Sequence, residues 1–220
     1  MIDSNATHLS LWKACLGHVP DEVWEQTALE SLVLADNGLS EITDQIGGLK
    51  RLRMLDLGHN ALAKIPEALG DLENLSDFLY LHDNRLSDLP SSLRRLSRLR
   101  YLNISENLFE ILPDCIFEMT SLVELRASGN RLSKLPDSVG RLSLLRELHL
   151  RDNKLTQLPD SIGELVELRQ IDLRGNPLTC LPKTLLALPQ LDKVDLRWVT
   201  TMALPAWIAD LEARGCLVYR

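Results

Sequence analysis

Side chains able to do chemistry recur in this sequence at fixed intervals. Arg151, Arg174 and Arg197 are spaced 23 residues apart. Two residues before each stand His149, Asp172 and Asp195. A row of guanidiniums could grip carboxylates or phosphates of a partner, because each planar fork donates two parallel hydrogen bonds. The competing reading is a solvated surface whose charges balance between neighbouring strands. Earlier in the chain, Met54, Phe78, Tyr80, His82 and Tyr101 recur at nearly the same interval. Tyrosines with apolar neighbours on an exposed face have the make-up of a binding hot spot. Phe78 could instead turn into the core. Arg126 falls between the two groups, 23 residues before His149.

The five histidines are His8, His18, His59, His82 and His149. His59 and His82 could approach each other, with Asp56 and Asp83 near. A solvated pair is the plainer reading than a metal site, and neither metal nor cofactor is expected. The sequence holds no G-x-S-x-G, no phosphate-binding loop, no dinucleotide fingerprint and no H-E-x-x-H. No cysteine has a catalytic setting. An enzyme with its site on an exposed sheet therefore has no motif behind it, and a non-enzymatic role is expected.

The four cysteines, Cys15, Cys115, Cys180 and Cys216, form no C-x-x-C pair, as expected of small apolar residues in a reducing compartment. Met1–Asn5 lacks the basic and apolar stretches of a secretory leader, and no apolar run is long enough to cross a bilayer, so a cytoplasmic protein is expected. The net charge of −7 argues against a nucleic-acid partner. That charge sits entirely in residues 1–110, with 10 basic against 17 acidic side chains; residues 111–220 hold 14 of each.

These intervals imply a repeat that positions the side chains. Asn37, Asn60, Asn84, Asn107, Asn130, Asn153 and Asn176 follow one another at spacings of 23, 24, 23, 23, 23 and 23. Around them runs the frame L-x-x-L-x-L-x-x-N-x-L, clear at Leu52–Leu62, Leu145–Leu155 and Leu168–Leu178. Five and six residues after each Asn from Asn60 onward comes Leu-Pro or Ile-Pro, from Ile65-Pro66 to Leu181-Pro182. In L-x-L two leucines share one face of a short strand and the middle residue takes the other. Such strands, stacked in parallel, bury their leucines together and leave the intervening columns outside. Proline starts the return turn, where no donor is needed.

This pattern resembles the leucine-rich-repeat family, in its 23-residue L-P-x-x-L-G-x-L-x-x-L class. That class is similar to intracellular plant and animal proteins of the Ras group and to bacterial proteins, some of them secreted effectors. The resemblance implies an α/β solenoid: a curved parallel sheet on the concave face and short helices or 3-10 turns on the convex face. It also implies that the seven asparagines form a buried ladder bonding the backbone of adjacent repeats. The expected organisation is one domain over 1–220: a degenerate capping repeat at 8–30, regular repeats at 31–198 and a cap at 199–220. Stepping on from Asn176 by 23 puts Val199 in place of Asn. A further step puts Leu217 and Tyr219 inward on a tenth strand.

Two details depart from the frame. Ser76, Asp77 and Phe78 separate Leu75 from Leu79, where other repeats have two residues, and a local bulge is expected there. Trp12, Trp24, Trp198 and Trp207 fall near the ends and are expected to cover the open core. The functional expectation is a scaffold that binds a protein partner on its concave sheet, through Met54, Tyr80, His82, Tyr101, Arg126, His149, Arg151, Arg174 and Arg197. The alternative is a bacterial effector delivered to a host cell as adaptor or inhibitor. No nucleic acid or membrane is expected. A monomer is expected, with pairing through the edge strand at 216–219 as the alternative.

Overall fold

A computed structural model describes residues 6–220. Ten three-residue strands form one parallel sheet in chain order. They are β1 (His8–Ser10), β2 (Ser31–Val33), β3 (Met54–Asp56), β4 (Phe78–Tyr80), β5 (Tyr101–Asn103), β6 (Glu124–Arg126), β7 (Glu147–His149), β8 (Gln170–Asp172), β9 (Lys193–Asp195) and β10 (Leu217–Tyr219). Seven return segments hold five-residue 3-10 turns, from Asp44–Gly48 to Lys183–Ala187. Short α-helices replace them at the ends, α1 (Asp21–Trp24) and α2 (Ile208–Ala213).

One continuous core runs the length of the stack. In each regular repeat the central strand residue and the residue two after it are buried, as Leu102 and Ile104 or Leu148 and Leu150 show. The leucines of the return segments meet them from the other side. Each fully buried leucine contributes roughly 1.5–3 kcal/mol of transfer free energy. The glycines of the L-G position let successive turns approach. A Cβ on Gly70 would lie 2.4 Å from the backbone oxygen of Ser92.

The asparagine ladder is present as expected. Asn130 donates from Nδ2 to the carbonyl of Ile104 in the preceding repeat (3.0 Å) and to those of Ala127 and Ser128 in its own. Its Oδ1 accepts the amide of Phe109, 3.1 Å away. Six of the seven are buried; Asn60 is half-buried. Just before each of them the chain leaves the strand through a residue with φ near +50 to +70°, from Asp36 through His59, Asp83, Glu106, Gly129 and Asp152 to Gly175.

The extra residue in the fourth repeat makes the expected bulge before β4. Arg100 donates to the carbonyl of Ser76, whereas the following repeat's Val123 and Glu124 donate to Arg100 in the regular way. The strand register recovers at Phe78, which pairs with Met54. Phe78 stays outside, 43% exposed.

Two expectations about the ends are corrected. Leu217 and Tyr219 point outward, not inward; Val218 pairs with Val194 and faces the core. The final repeat is one residue longer because its return segment is a true α-helix, ending through Gly215 at φ +94°. A slip of one residue turns every side chain of a strand to the opposite face. Among the tryptophans, Trp24 is buried and Trp207 packs against the core, as caps should. Trp12 and Trp198 do not cover it: both are more than 60% exposed. Trp12 lies in an outward column, and Trp198 lies past β9 at the left-handed position that precedes a ladder residue, here Val199.

Candidate functional site

The outward columns of the sheet carry the candidate residues, because alternation along each strand exposes every second side chain. Register places Met54, Phe78, Tyr101, Glu124, Glu147 and Gln170 side by side in one column. Asp56, Tyr80, Asn103, Arg126, His149, Asp172 and Asp195 form the next.

The aromatic residues make one cluster. Phe78 stacks on Tyr80 at 5.8 Å between centroids and meets Tyr101 edge-on at 5.4 Å. Tyr80 and Tyr101 lie 5.0 Å apart. Tyr80 also meets His82 at 6.0 Å. Met54 adjoins Phe78 on the neighbouring strand and is half-buried. Burial pushes the Tyr101 phenol up to about 12, so it stays a neutral donor at neutral pH. Arg126 stands 5.9 Å over the Tyr101 ring and closes the cluster on its C-terminal side.

His82 lies on Gly58, where a Cβ would come within 2.3 Å of the imidazole. Its Nδ1 is buried without a partner, and burial lowers its pKa, so the ring is neutral in this setting. His59 packs edge-on against it at 4.8 Å and bonds Asp83 at 2.5 Å. The expected approach of the two histidines is therefore present.

The middle of the sheet is polar and internally paired. Arg126 bonds Glu124 at 2.5 Å, and His149 sits 3.1 Å from Glu147 and 3.7 Å from Glu124. These three acceptor-bearing residues are the one group among the described residues able to surround a cation, and Arg126 already occupies Glu124.

The three arginines of the C-terminal part do form a row, and each meets a carboxylate. Arg174 grips Asp172 with both Nε and Nη2, at 2.8 and 2.5 Å, and lies 3.5 Å from Asp195. Arg197 grips Asp195 in the same fork, and Arg151 bonds Asp152 at 2.7 Å. Asp195 is 1% exposed. Burial alone would raise its pKa, but the bonds from Arg197 and the charge of Arg174 outweigh this and lower it. The row is thus a guanidinium–carboxylate lattice, in which each arginine is paired within its own repeat and Arg174 alone also reaches across to Asp195.

The sequence reading missed three features. Glu124 and Glu147 are the internal partners of Arg126 and His149. Trp198 lies about 6 Å from the guanidiniums of Arg151, Arg174 and Arg197. Tyr219, turned outward by the slipped register, is approached by Arg197 and Lys193 at 5.5 Å each. Glu124 and Glu147 continue the 23-residue column of Tyr101, so their signal was available; Trp198 follows the regular β9 but was expected in the cap, and Tyr219 needed the true length of the last repeat.

An open parallel solenoid with a buried asparagine ladder and a decorated concave sheet defines a leucine-rich-repeat protein. The chain belongs to the leucine-rich-repeat family. The family's repeat-region model matches residues 38–135, and its leucine-rich-repeat model matches 4–62, 128–178 and 143–198. Among solved structures, an LRR protein of Leptospira interrogans is 28% identical with a TM-score of 0.87, covering 99% of this chain and 61% of that one. It places this chain with bacterial-type members of the family. The plant peptide hormone receptor RGFR1, solved in complex with RGF2, is 35% identical, with a TM-score of 0.73 over 82% of this chain and 30% of that one. The LRR ectodomain of the Arabidopsis thaliana receptor kinase GASSHO1/SCHENGEN3, solved with CASPARIAN STRIP INTEGRITY FACTOR 2, is 29% identical, with a TM-score of 0.81 over 98% and 27%. This chain therefore spans about three fifths of the first of these and under a third of the other two. No curated protein matches it.

Proposed function

We propose that this protein is a non-enzymatic scaffold that binds a protein partner on its concave sheet, with the Phe78–Tyr80–Tyr101 cluster as the hot spot. The observation that carries the reading is that cluster: three mutually packed rings on adjacent strands, left open on the exposed face. Rings held by one another lose little freedom when a partner covers them, so less of the gain is spent on ordering. Hot-spot side chains of this type typically cost 2 kcal/mol or more on truncation. Two structural neighbours are receptor domains solved with their ligands, which agrees with a protein or peptide partner. The paired arginines further along are read as orienting contacts: the exposed Arg151–Asp152 pair contributes about 0–1 kcal/mol, and the forks on the more buried Asp172 and Asp195 fix the direction of Arg174 and Arg197.

The test is capture of binding proteins from the native lysate by wild type beside Tyr80→Ala/Tyr101→Ala, with folding checked by circular dichroism. A partner held by wild type and lost from the folded double variant is expected, at a loss of roughly tenfold or more in affinity. A partner held equally by both removes the cluster from the interface.

The reading includes a reducing, cytoplasmic setting, motivated by four cysteines on widely separated repeats. Cys15 and Cys180 are exposed, whereas Cys115 and Cys216 are buried. Burial pushes the Cys115 thiol up to about 11, so its reactive thiolate is scarce near neutral pH. Mass spectrometry after alkylation of freshly isolated protein should show two fast additions and two only after unfolding. A cysteine found in a disulfide in protein isolated under acid quench would count against the reducing setting.

A further inference from the structure

The strand-start edge of the sheet, which no column of the concave face includes, carries a second concentration of arginine. The residue just before each strand and the residue two further back flank a buried leucine, so both point outward at this edge. On the third repeat they are Arg53 and Arg51; on the fifth, Arg100 and Arg98; on the seventh, Arg146 and Leu144. The intervening repeats place Asn74, Ser76 and Asp77, then Ser121 and Val123, between them. Two adjoining grooves follow this edge, one past Arg51, Arg53 and Arg98, the other past Arg98, Arg100 and Arg146. All five arginines are exposed.

Their charge is far less matched than that of the concave row. Arg53 meets Asp77 at 3.3 Å, and Arg146 stands 3.9 Å from Glu167. Arg98 bonds only the neutral side chain of Asn74. Among the described residues, Arg51 and Arg100 have no carboxylate partner within 4 Å. Glu30 also lines the first groove, so five cations face three carboxylates, still a net positive edge on a chain whose net charge is −7. The apolar side of the same edge is Leu144, 49% exposed, with Val123 beside it, and a third groove joins Arg100 and Val123 to Phe78 and Tyr101.

We infer that this edge is a docking groove for an acidic, proline-containing peptide segment of a protein partner. The charge pattern selects the ligand. A long polyanion would feel the whole acidic chain, whereas a short segment is held within the Debye length of about 8 Å, where the local arginines dominate. The carboxylates Glu30, Asp77 and Glu167 along the grooves interrupt a continuous phosphate track. The apolar positions ask for side chains that nucleic acid lacks. From the third to the seventh repeat, which the two grooves follow, arginine-bearing repeats alternate with neutral or acidic ones, so the cations there recur every second strand, at roughly 10 Å; Arg169 on the eighth repeat lies beyond the grooves. A polyproline-type segment repeats its face every third residue, at about 9.3 Å, which matches. An extended β-strand, with a face repeat near 6.7 Å, does not. The segment carries glutamate or aspartate at every third position, with proline and leucine-like residues between.

The probe is a fluorescein-labelled peptide with glutamate at every third position and proline and leucine between, followed by anisotropy on the full chain. Binding is expected, with affinity falling as salt rises, and a lysine-for-glutamate peptide is expected not to bind. Arg98→Glu/Arg100→Glu should weaken binding at least tenfold with an unchanged thermal melt. Arg51→Glu/Arg53→Glu serves as a second, independent variant on the neighbouring repeat. Absent binding, binding unaltered by both charge reversals, affinity that rises with salt, or tighter binding of a 20-base single-stranded DNA each overturns the proposal. Running Tyr80→Ala/Tyr101→Ala with the same peptide keeps the two sites distinguishable. Peptide binding lost with the arginine reversals and retained by the tyrosine variant supports the edge groove whatever becomes of the concave hot spot.

Discussion

Phe117→Ala should lower the unfolding free energy by about 3–5 kcal/mol, read as a fall in the urea midpoint. Phe117 occupies the column that holds Gly47, Gly70, Gly140 and Gly163 in other repeats. Those glycines let successive return turns close on one another; Gly70 has no room even for a methyl group. At Phe117 the opposite solution operates. The turn Asp114–Glu118 packs less closely on the next turn, Asp137–Arg141, than most neighbouring turns do, and the fully buried ring fills the space. Removing the ring leaves a cavity whose walls are the convex turns of two repeats. Repeat proteins couple only to their neighbours, so the loss falls on one interface of a one-dimensional stack. The unfolding curve should therefore broaden or split at residues near 114–141, which hydrogen exchange can locate. A uniform shift without local loss of protection would show that the interface is not the weak point.

Much of this molecule was legible because a repeat writes the same constraint many times. Seven asparagines at near-constant spacing could be met only by a stacked fold, and the ladder contacts of Asn130 follow the expectation bond for bond in kind. The outward columns, and hence the meeting of Phe78, Tyr80 and Tyr101, followed from the same count. Errors arose where the count itself changed. One extra residue before the last strand, hidden in a helix ending at Gly215, reversed the faces of Leu217 and Tyr219. No alternation within three residues could reveal that, since Leu-Val-Tyr is apolar on both faces. Nor could column order show that Arg174 and Arg197 are clasped by Asp172 and Asp195. Composition gave the charges; only side-chain geometry gives their pairing. The arginines at the strand-start edge escaped notice for a different reason. They flank a buried leucine in the L-x-x-L part of the frame, which reads as scaffold.

Asn130→Leu should destabilise the protein by roughly 2–4 kcal/mol, with a clear drop in melting temperature. The cost is not spread evenly over the lost bonds. The carbonyl of Ile104 keeps a bond from Asn107, that of Ala127 keeps one from Asn153, and that of Ser128 keeps the amide of Glu106. The amide of Phe109 is different, because Asn130 Oδ1 is its partner. Left unpaired in a buried site, that donor costs about 1–3 kcal/mol, and the weakened carbonyls add the remainder. Asn130→Asp separates the two halves of the side chain. It keeps the oxygen that accepts from Phe109 but points a second one at three carbonyl oxygens. Burial and those dipoles favour the protonated acid, so its folded pKa lies above the unfolded value of about 3.9. A group with a raised folded pKa contributes stability below its unfolded pKa and loses it as pH rises through the folded one. Relative to wild type, Asn130→Asp should therefore be better tolerated at pH 3 than at pH 7, while the deficit of Asn130→Leu stays nearly constant. Melting both variants across that range decides the matter: a flat profile for Asn130→Asp would mean that the carbonyl side of the ladder carries little weight, and the orphaned Phe109 amide would then account for the whole effect.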